Sequence, residues 1–219
     1  MNAVSIIGGT HGLGHGLAMR LAKANWKVII GSRKLEKAQR ISKEIAETLG
    51  GKANVIGYEN SRAASEADIV VFAVPFEAQE TISEQIKGSL KPGTVVIDVT
   101  VPVTKIENRF ALIELEESAS EKLRRLLPDY VDVVAAFKNV PAKALERISE
   151  PLNCDVIVCG DSEKAKKRVF KLIEAIEGAR AVDGGSLKNA RLLEALSVLL
   201  INLCVIHRVD SVGVRLTGF

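Results

Sequence analysis

Cysteine is scarce in this sequence, with three residues, Cys154, Cys159 and Cys204, in 219. Three cysteines cannot form a disulfide framework. Cys154 and Cys159 lie in the apolar run "CDVIVCG", which predicts a buried strand. Their odd offset places them on opposite faces of that strand, which argues against a shared metal ion. A reducing cytoplasmic compartment, with no bound metal, is therefore expected.

The sequence also lacks a strong excess of either charge. It has 30 Lys and Arg against 27 Asp and Glu, a formal net charge of +3. The basic residues are spread along the chain rather than clustered on one predicted face. This pattern excludes an obvious nucleic-acid partner and leaves room for a local site that binds a small anion.

No charged-then-apolar leader precedes the first predicted strand. The most apolar stretch, from Leu192 to Ile206, is interrupted by Glu194 and Asn202. It is too short and too interrupted to predict a membrane span. We expect it to form a buried or interface helix and expect no membrane association.

Val/Ile-rich runs alternate with helical patterns along most of the chain. Continuous apolar strands separated by helices predict a doubly wound, mostly parallel α/β sheet of the Rossmann type, with helices on both faces. The segment "VPVTKIENRFALIELEE" has no clean period and is predicted as loop or mixed structure. A long helix from about Ser186 to His207 is expected to cap the fold. We divide the chain into a nucleotide-binding domain, residues 1–180, and a C-terminal helical extension, residues 181–219.

A glycine-rich turn follows the first strand in "VSIIGGTHGLGHGLAMRLA". The order strand, glycine turn and helix is that of a dinucleotide-binding motif, in which backbone N–H groups and the helix N-terminus approach a pyrophosphate. His11 stands where the commonest fingerprint has its middle glycine. We expect Thr10 to offer a hydroxyl and His11 an N–H donor.

The glycine spacing from Gly8 is that of short-chain dehydrogenases, but the Tyr-x-x-x-Lys pair of those enzymes is missing. Tyr58 is followed four residues later by Arg62, and Tyr130 by Val134. That proton-relay chemistry is therefore not expected.

An acidic residue is missing after the second predicted strand, where proteins that bind NAD hold the ribose hydroxyls. The segment "GSRKLEK" instead places Ser32, Arg33, Lys34 and Lys37 there. A hydroxyl and a guanidinium bind a 2′-phosphate that a carboxylate would repel. The sequence therefore predicts NADP rather than NAD.

No acid/base constellation is evident among the remaining residues. His15 falls within a predicted helix, and His207 ends the last one. Lys138 follows a predicted strand, where α/β sheets bind ligands, although a solvated loop lysine is an equal alternative. The absence of catalytic residues favours a hydride acceptor whose own ring handles protonation, such as a flavin-like cofactor.

Several segments occur in an order typical of one family: "IIGGTHGLGHGLAMRLA", "VIIGSRKLEKA", "DIVVFAVPFEA", "VVAAFKNVPA", "VCGDSEKAKKRVFKLIEAIEGARAVDGGSLKNARLLEALSVLLINL" and "GVRL". Together they resemble the archaeal-type NADPH-dependent reductases of coenzyme F-420 (F420), an 8-hydroxy-5-deazaflavin. The resemblance covers nearly the whole chain. It implies a homodimeric oxidoreductase that passes a hydride between nicotinamide C4 and deazaflavin C5 of stacked rings.

The resemblance also implies a set of binding residues and no catalytic side chain. The pyrophosphate would contact Gly9, Thr10, His11, Gly12 and Leu13. The 2′-phosphate would contact Ser32, Arg33 and Lys37. The adenosine side or ribose would contact Val74, Pro75 and Phe76, and the nicotinamide would contact Val101 and Pro102. The deazaflavin substrate would contact Phe137, Lys138, Asn139, Pro141, Asn189, Leu193, Leu196, Ser197 and Leu200.

Two positions depart from the family pattern. His11-Gly12 stands where the family commonly has glycine and a polar residue, and Lys138-Asn139 stands where it commonly has histidine and threonine. The lysine either pairs with the acidic tail or a ring oxygen of the deazaflavin or signals another acceptor, such as a flavin, a ferric chelate or an imine. A non-catalytic NADP-binding redox sensor is the alternative from a different functional class.

Overall fold

The computed structural model describes residues 2–218, in which eight strands form one sheet and two form a separate hairpin. The strands are β1 (Ala3–Ile7), β2 (Lys27–Ser32), β3 (Val55–Glu59), β4 (Ile69–Phe72), β5 (Val95–Asp98), β6 (Val103–Ile106), β7 (Arg109–Leu112), β8 (Asp132–Ala135), β9 (Cys154–Gly160) and β10 (Ala179–Asp183). The helices are α1 (Gly12–Lys23), α2 (Leu35–Thr48), α3 (Asn60–Ser65), α4 (Gln79–Lys87), α5 (Ala119–Leu126), α6 (Ala142–Glu146), α7 (Glu163–Glu174) and α8 (Ala190–His207). Single 3₁₀ turns, Phe76–Ala78 and Leu187–Asn189, precede α4 and α8.

The main sheet has the strand order β10-β9-β8-β5-β4-β1-β2-β3. All neighbouring pairs are parallel except β8 and β9, which are antiparallel. The predicted Rossmann-type, mostly parallel sheet is thus confirmed. The strand order reverses between β1 and β4, and doubly wound sheets bind ligands at the carboxyl ends of the strands at such a switch point.

Helices cover both faces of the sheet, and each face has its own apolar core. One core includes side chains of α1, α2 and α7, and the other includes side chains of α3, α4, α5 and the start of α8. Cys154 belongs to the first core and Cys159 to the second, so the two thiols lie on opposite faces, as their spacing predicts. Burial raises the pKa of each thiol to about 11.

The segment predicted as loop or mixed structure contains the antiparallel hairpin of β6 and β7. Its turn includes Glu107, which has a positive φ of 53°. The hairpin is held from outside, because the side-chain amide of Asn202 in α8 bonds both backbone groups of Phe110, each at 2.8 Å. The side chains of the hairpin are mostly exposed, so no alternation of apolar and polar residues predicts its strands.

The helix α8 follows β10, within which the expected domain boundary near residue 180 falls. The segment Leu187–His207 is long and apolar enough to cross a membrane by composition alone, with a mean hydropathy of 1.7. One face of this helix is nevertheless buried, as Leu193, Ser197 and Leu200 show. Core packing therefore accounts for part of its apolar character.

The last described residues run along β9, where β8 no longer pairs with it. The backbone N–H of Asp155 bonds the carbonyl of Val214 at 2.8 Å. The buried Asp155 carboxylate accepts hydrogen bonds from Arg180, Arg215 and the backbone N–H of Leu216. These contacts, above all that with Arg180, lower the pKa of Asp155 to about 2.

Candidate functional site

The glycine turn between β1 and α1 lies at the switch point of the sheet. Gly8 has a φ of +85°, and a Cβ there would lie 2.2 Å from the carbonyl oxygen of Ala73, after β4. A Cβ on Gly14 would lie 2.8 Å from the carbonyl oxygen of Gly8. Any larger residue would therefore push the helix from the strand, so both glycines are required for the close packing of the turn.

The N-terminus of α1 is open to an anion. His11 is the N-cap residue, with an extended φ of −166°, and its side chain makes no capping hydrogen bond. The first turn of α1 contains no acidic residue. Gly12 adopts a positive φ of +54°, and a Cβ added there would meet open space. Glycine is therefore favoured at this position by the backbone conformation and not by close packing. The free N–H groups and the positive end of the helix dipole suit a pyrophosphate.

A groove of about 630 Å³ extends from this turn over the ends of β2 and β4. Seven of the predicted cofactor residues line it: Thr10, His11, Ser32, Arg33, Lys37, Val74 and Pro75. The other lining residues are Gly8, Gly31, Lys34, Asn60, Ala73, Ala78 and Ile82.

The rim of the groove beside β2 is basic. Arg33, Lys34 and Lys37 are exposed around the start of α2, and the hydroxyl of Ser32 accepts a hydrogen bond from the backbone N–H of Lys34 at 3.3 Å. No carboxylate belongs to the lining among residues 2–218. The donor set therefore suits a phosphate monoester.

The opposite half of the groove, lined by Val74, Ala78 and Ile82, is apolar. The buried Asn60 also lines the groove, and its Nδ2 donates to Oε1 of Gln85 at 3.1 Å. The Asn60 Oδ1 atom is buried without a hydrogen-bond partner. An apolar slot of this kind suits a heteroaromatic ring such as adenine.

A second cavity of about 240 Å³ begins beside the same helix N-terminus, at Leu13. It is predominantly apolar and combines residues that are distant in sequence. Seven predicted binding residues line it: Leu13, Val101, Lys138, Asn139, Pro141, Ser197 and Leu200. The remaining lining residues are Val99, Val140, Ala142, Ile201, Cys204 and Val212.

The side chain of Lys138 is fully buried, which differs from the alternative of a solvated loop lysine. Its Nζ donates to Asp98 Oδ2 at 2.8 Å, to Glu194 Oε1 at 3.1 Å and to the carbonyl of Thr100. An ammonium has three donors, and all three are used. These partners all lie within the protein, and the pairing of this ammonium with the acidic tail or a ring oxygen of the acceptor stays a prediction.

Both carboxylates of this ion cluster, defined as Lys138, Asp98 and Glu194, have further partners. Asp98 accepts from the hydroxyl of Ser120 at 2.6 Å and from the backbone N–H of Thr100 at 3.0 Å. Glu194 accepts from the backbone N–H of Ala119 at 3.0 Å. Burial raises the pKa of Glu194, although the nearby Lys138 opposes this effect.

Asn139 uses its side chain in the fold. Its Nδ2 donates to the carbonyl of Asp155 at 2.7 Å, and its Oδ1 accepts from the backbone N–H of Ile157 at 3.3 Å. The amide thus takes the place of a neighbouring strand where β8 ends. Its contribution to the cavity is to hold one wall against β9.

The remaining predicted residues line neither cavity. Gly9 and Gly12 belong to the turn, Phe76 begins a 3₁₀ turn, and Pro102 is buried at the base of the hairpin. Phe137 is fully buried, with a positive φ of 59°. On the last helix, Leu193 is in the core, Leu196 is half-buried, and the side chain of Asn189 bonds the carbonyl of Gly184.

Sequence reasoning missed residues of both cavities. In the groove the missed residue is Asn60, for which the end of the third strand is the signal, whereas Lys34 belongs to the basic segment that the sequence already marks. Cys204 and Val212 reach the second cavity only through tertiary contacts, for which the sequence has no local signal. Within residues 2–218, no group of three or more His, Cys, Asp or Glu side chains is placed to hold a metal ion.

Comparisons with known proteins agree with this geometry. Residues 3–102 match the family model described as NADP oxidoreductase coenzyme F420-dependent. The chain is 41% identical to an F420-dependent NADP reductase of Methanocaldococcus jannaschii, over 98% of both chains. It is also 41% identical to one from Methanothermobacter thermautotrophicus, over 98% of this chain and 94% of the relative. A crystal structure from Arthrobacter sp. FB24 assigned to the F420-dependent NADP reductases superimposes with a TM-score of 0.82 over all of both chains, at 19% identity.

Proposed function

The chain belongs to the family of F420-dependent NADP reductases, and we propose that its groove holds NADP(H) while the adjoining apolar cavity admits the deazaflavin ring. It is an oxidoreductase that transfers a hydride between NADP(H) and coenzyme F420. The observation that carries the assignment of sites is that both cavities border the start of α1, where Thr10 and His11 line the groove and Leu13 lines the second cavity.

The residues of the groove fit NADP. The cradle beside Gly8 and Gly14, which a Cβ would fill, lets the pyrophosphate approach the backbone N–H groups of residues 10 to 13. Ser32, Arg33 and Lys37, joined by Lys34, surround the place of the 2′-phosphate. Val74, Pro75 and Phe76 flank the adenosine, and Val101 and Pro102 lie toward the nicotinamide.

The protein itself supplies binding, orientation and exclusion of water rather than proton transfer. The nicotinamide and the deazaflavin supply the hydride chemistry when bound. Val99, Val101, Leu200 and Ile201 give the second cavity an apolar lining that suits two stacked planar rings. Holding two reactants in this way lowers the entropic part of the barrier. No side chain of the cavity is assigned a catalytic role.

The test is a turnover assay with purified protein, NADPH and oxidised F420, in which loss of the visible absorbance of the deazaflavin is followed. We expect turnover with NADPH and much slower turnover with NADH at equal concentration. An absence of turnover above background with NADPH would contradict the assigned activity. Equal rates with both nucleotides would contradict the assignment of the basic rim.

We further propose that residues 181–219 complete the acceptor site and join two copies of the chain. Leu192, Leu199 and Ile206 are more than half exposed and lie seven residues apart, which places them on one stripe of α8. Ile106 of the hairpin is also exposed. An apolar stripe of this kind is typical of an interface.

The proposed dimer is tested by sedimentation of the Leu199→Arg variant. We expect a monomer, whereas the Tyr130→Arg control, at an exposed aromatic residue on the amino edge of the sheet, stays a dimer. A wild-type protein that sediments as a monomer at micromolar concentration would refute the dimer.

The free cysteines and the absence of a predicted nucleic-acid or membrane partner support our proposal of a cytoplasmic enzyme.

A further inference from the structure

We propose that the ion cluster of Lys138, Asp98 and Glu194 is the positioning element of the acceptor cavity, holding three of its walls at the separations that ring stacking requires. The inference rests on the proposed placement of the acceptor in this cavity. It assigns to Lys138 and Glu194 an action through the protein rather than through contact with either ring.

The cluster joins three segments that are distant in sequence. Asp98 ends β5, Lys138 follows β8, and Glu194 lies in α8. Each segment also supplies cavity-lining neighbours. These are Val99 and Val101 from the first segment, Asn139, Val140 and Pro141 from the second, and Ser197, Leu200 and Ile201 from the third. A change in the cluster therefore moves all three walls relative to one another.

Further hydrogen bonds tie the same segments together. Ser197 Oγ donates to the carbonyl of Lys138, which fixes one turn of α8 against the β8 end. Through Ala119 and Ser120, Glu194 and Asp98 also bind the first turn of α5. The cluster is thus the point at which β5, β8, α5 and α8 meet.

The burial of the three charges supports a role in geometry rather than in stability. The side chains of Lys138 and Asp98 are 0% exposed, and that of Glu194 is 2% exposed. Well-packed apolar side chains would stabilise such a site equally well, because desolvation offsets the attraction of a buried ion pair. Hydrogen bonds, unlike apolar contacts, specify distance and direction.

The decisive comparison is between Glu194→Gln and Glu194→Met. Both variants remove one negative charge and leave the Lys138–Asp98 pair neutral, and both side chains are similar in size to Glu. The amide oxygen of Gln accepts from Lys138 Nζ and Ala119 N–H, as the carboxylate does. Methionine offers neither bond, so the two variants differ in the connection between α8 and the other walls.

We expect Glu194→Gln to keep a kcat near wild type. We expect Glu194→Met to lower kcat about 10- to 100-fold, because small displacements of reacting rings have effects of this size. The KM for F420 and the Kd for NADP should stay within about threefold, since the charged side chains of the cluster are buried and offer no surface to either ligand. Thermal unfolding of each variant sets an assay temperature at which it is folded.

A second readout needs no acceptor. Cys204 lines the cavity and is half-buried, whereas Cys154 and Cys159 are buried. The rate of Cys204 alkylation therefore reports how tightly the walls of the cavity pack around this thiol. The modified residue is located by mass spectrometry, with Cys204→Ser as a blank. We expect Glu194→Met to be alkylated several-fold faster than wild type and Glu194→Gln to match wild type.

Three results would overturn the proposal. Equal kcat values and equal alkylation rates for the two variants would show that the hydrogen bonds position nothing. Equal falls in kcat would assign the effect to charge. A raised KM with unchanged kcat would place the cluster in contact with the acceptor. If wild type fails to turn over F420, the assigned activity fails, while the alkylation comparison still decides whether the cluster holds the walls.

Discussion

The groove and the acceptor cavity lie side by side at the carboxyl edge of the sheet, yet their construction differs. The groove is built from short segments at the ends of β1, β2 and β4, with exposed cations on its rim. The cavity is built from five distant segments, with its charges buried behind its walls. The difference suits the ligands that we propose for the two sites: a polyanion needs accessible donors, whereas two stacked rings need a dry and fixed space.

The largest expected effect is at the glycine turn between β1 and α1, which lines the groove. A Cβ at Gly8 meets the Ala73 carbonyl, so Gly8→Ala should cost about 3 kcal/mol of stability and abolish NADP binding. Gly12→Ala has a positive φ and open space, so we expect about 1 kcal/mol. Chemical unfolding and NADP titration check both values. Equal losses would show that close packing does not set the geometry of the turn.

Arg33→Ala should weaken nucleotide binding in the groove and leave the acceptor cavity unchanged. Loss of a charged phosphate contact weakens NADP binding by about 1.5–3 kcal/mol and leaves NAD binding nearly intact. The exposed Arg40, in the same helix, lies outside the groove, so Arg40→Ala is the matched control. Calorimetric titration with each nucleotide measures the difference. A similar loss of NAD affinity would show that Arg33 does not bind the 2′-phosphate.

Asn139→Ala should affect the acceptor cavity and leave nucleotide binding in the groove unchanged. It leaves the carbonyl of Asp155 and the N–H of Ile157 without their partner, which costs about 2 kcal/mol of stability. We expect a raised KM for F420, because the wall beside β9 loosens, and an unchanged Kd for NADP. Urea unfolding and steady-state kinetics test this prediction, and a change confined to NADP binding would contradict it.

The stability that Asp155 contributes behind the far wall of the cavity should depend on pH. Its pKa falls from 3.8 to about 2 on folding, so its stabilising effect is present above pH 3.8 and is lost as pH falls toward 2. Asp155→Asn should cost about 1 kcal/mol at neutral pH, because Arg180 and Arg215 are partly exposed and regain water. Urea unfolding from pH 7 to pH 3 should show this difference shrinking. A constant difference would show that the carboxylate charge is not what anchors the C-terminal residues.

Several features of the fold and the groove were predictable because local patterns encode them. Continuous Val and Ile runs marked the strands, the glycine turn marked the switch point, and "GSRKLEK" marked the basic rim. The hairpin of β6 and β7 was not predictable, since Asn202 from α8 holds it and its own side chains are mostly exposed.

The sequence by itself determined the sheet, the glycine turn and the preference for NADP, because each depends on residues that are neighbours along the chain. Only the tertiary structure decided the role of Lys138. The sequence alone is equally compatible with a solvated lysine after this strand. In the structure the Lys138 ammonium contacts Asp98, 40 residues before it, and Glu194, 56 residues after it. The physical reason is that the burial of a charge depends on long-range partners, which no local pattern records.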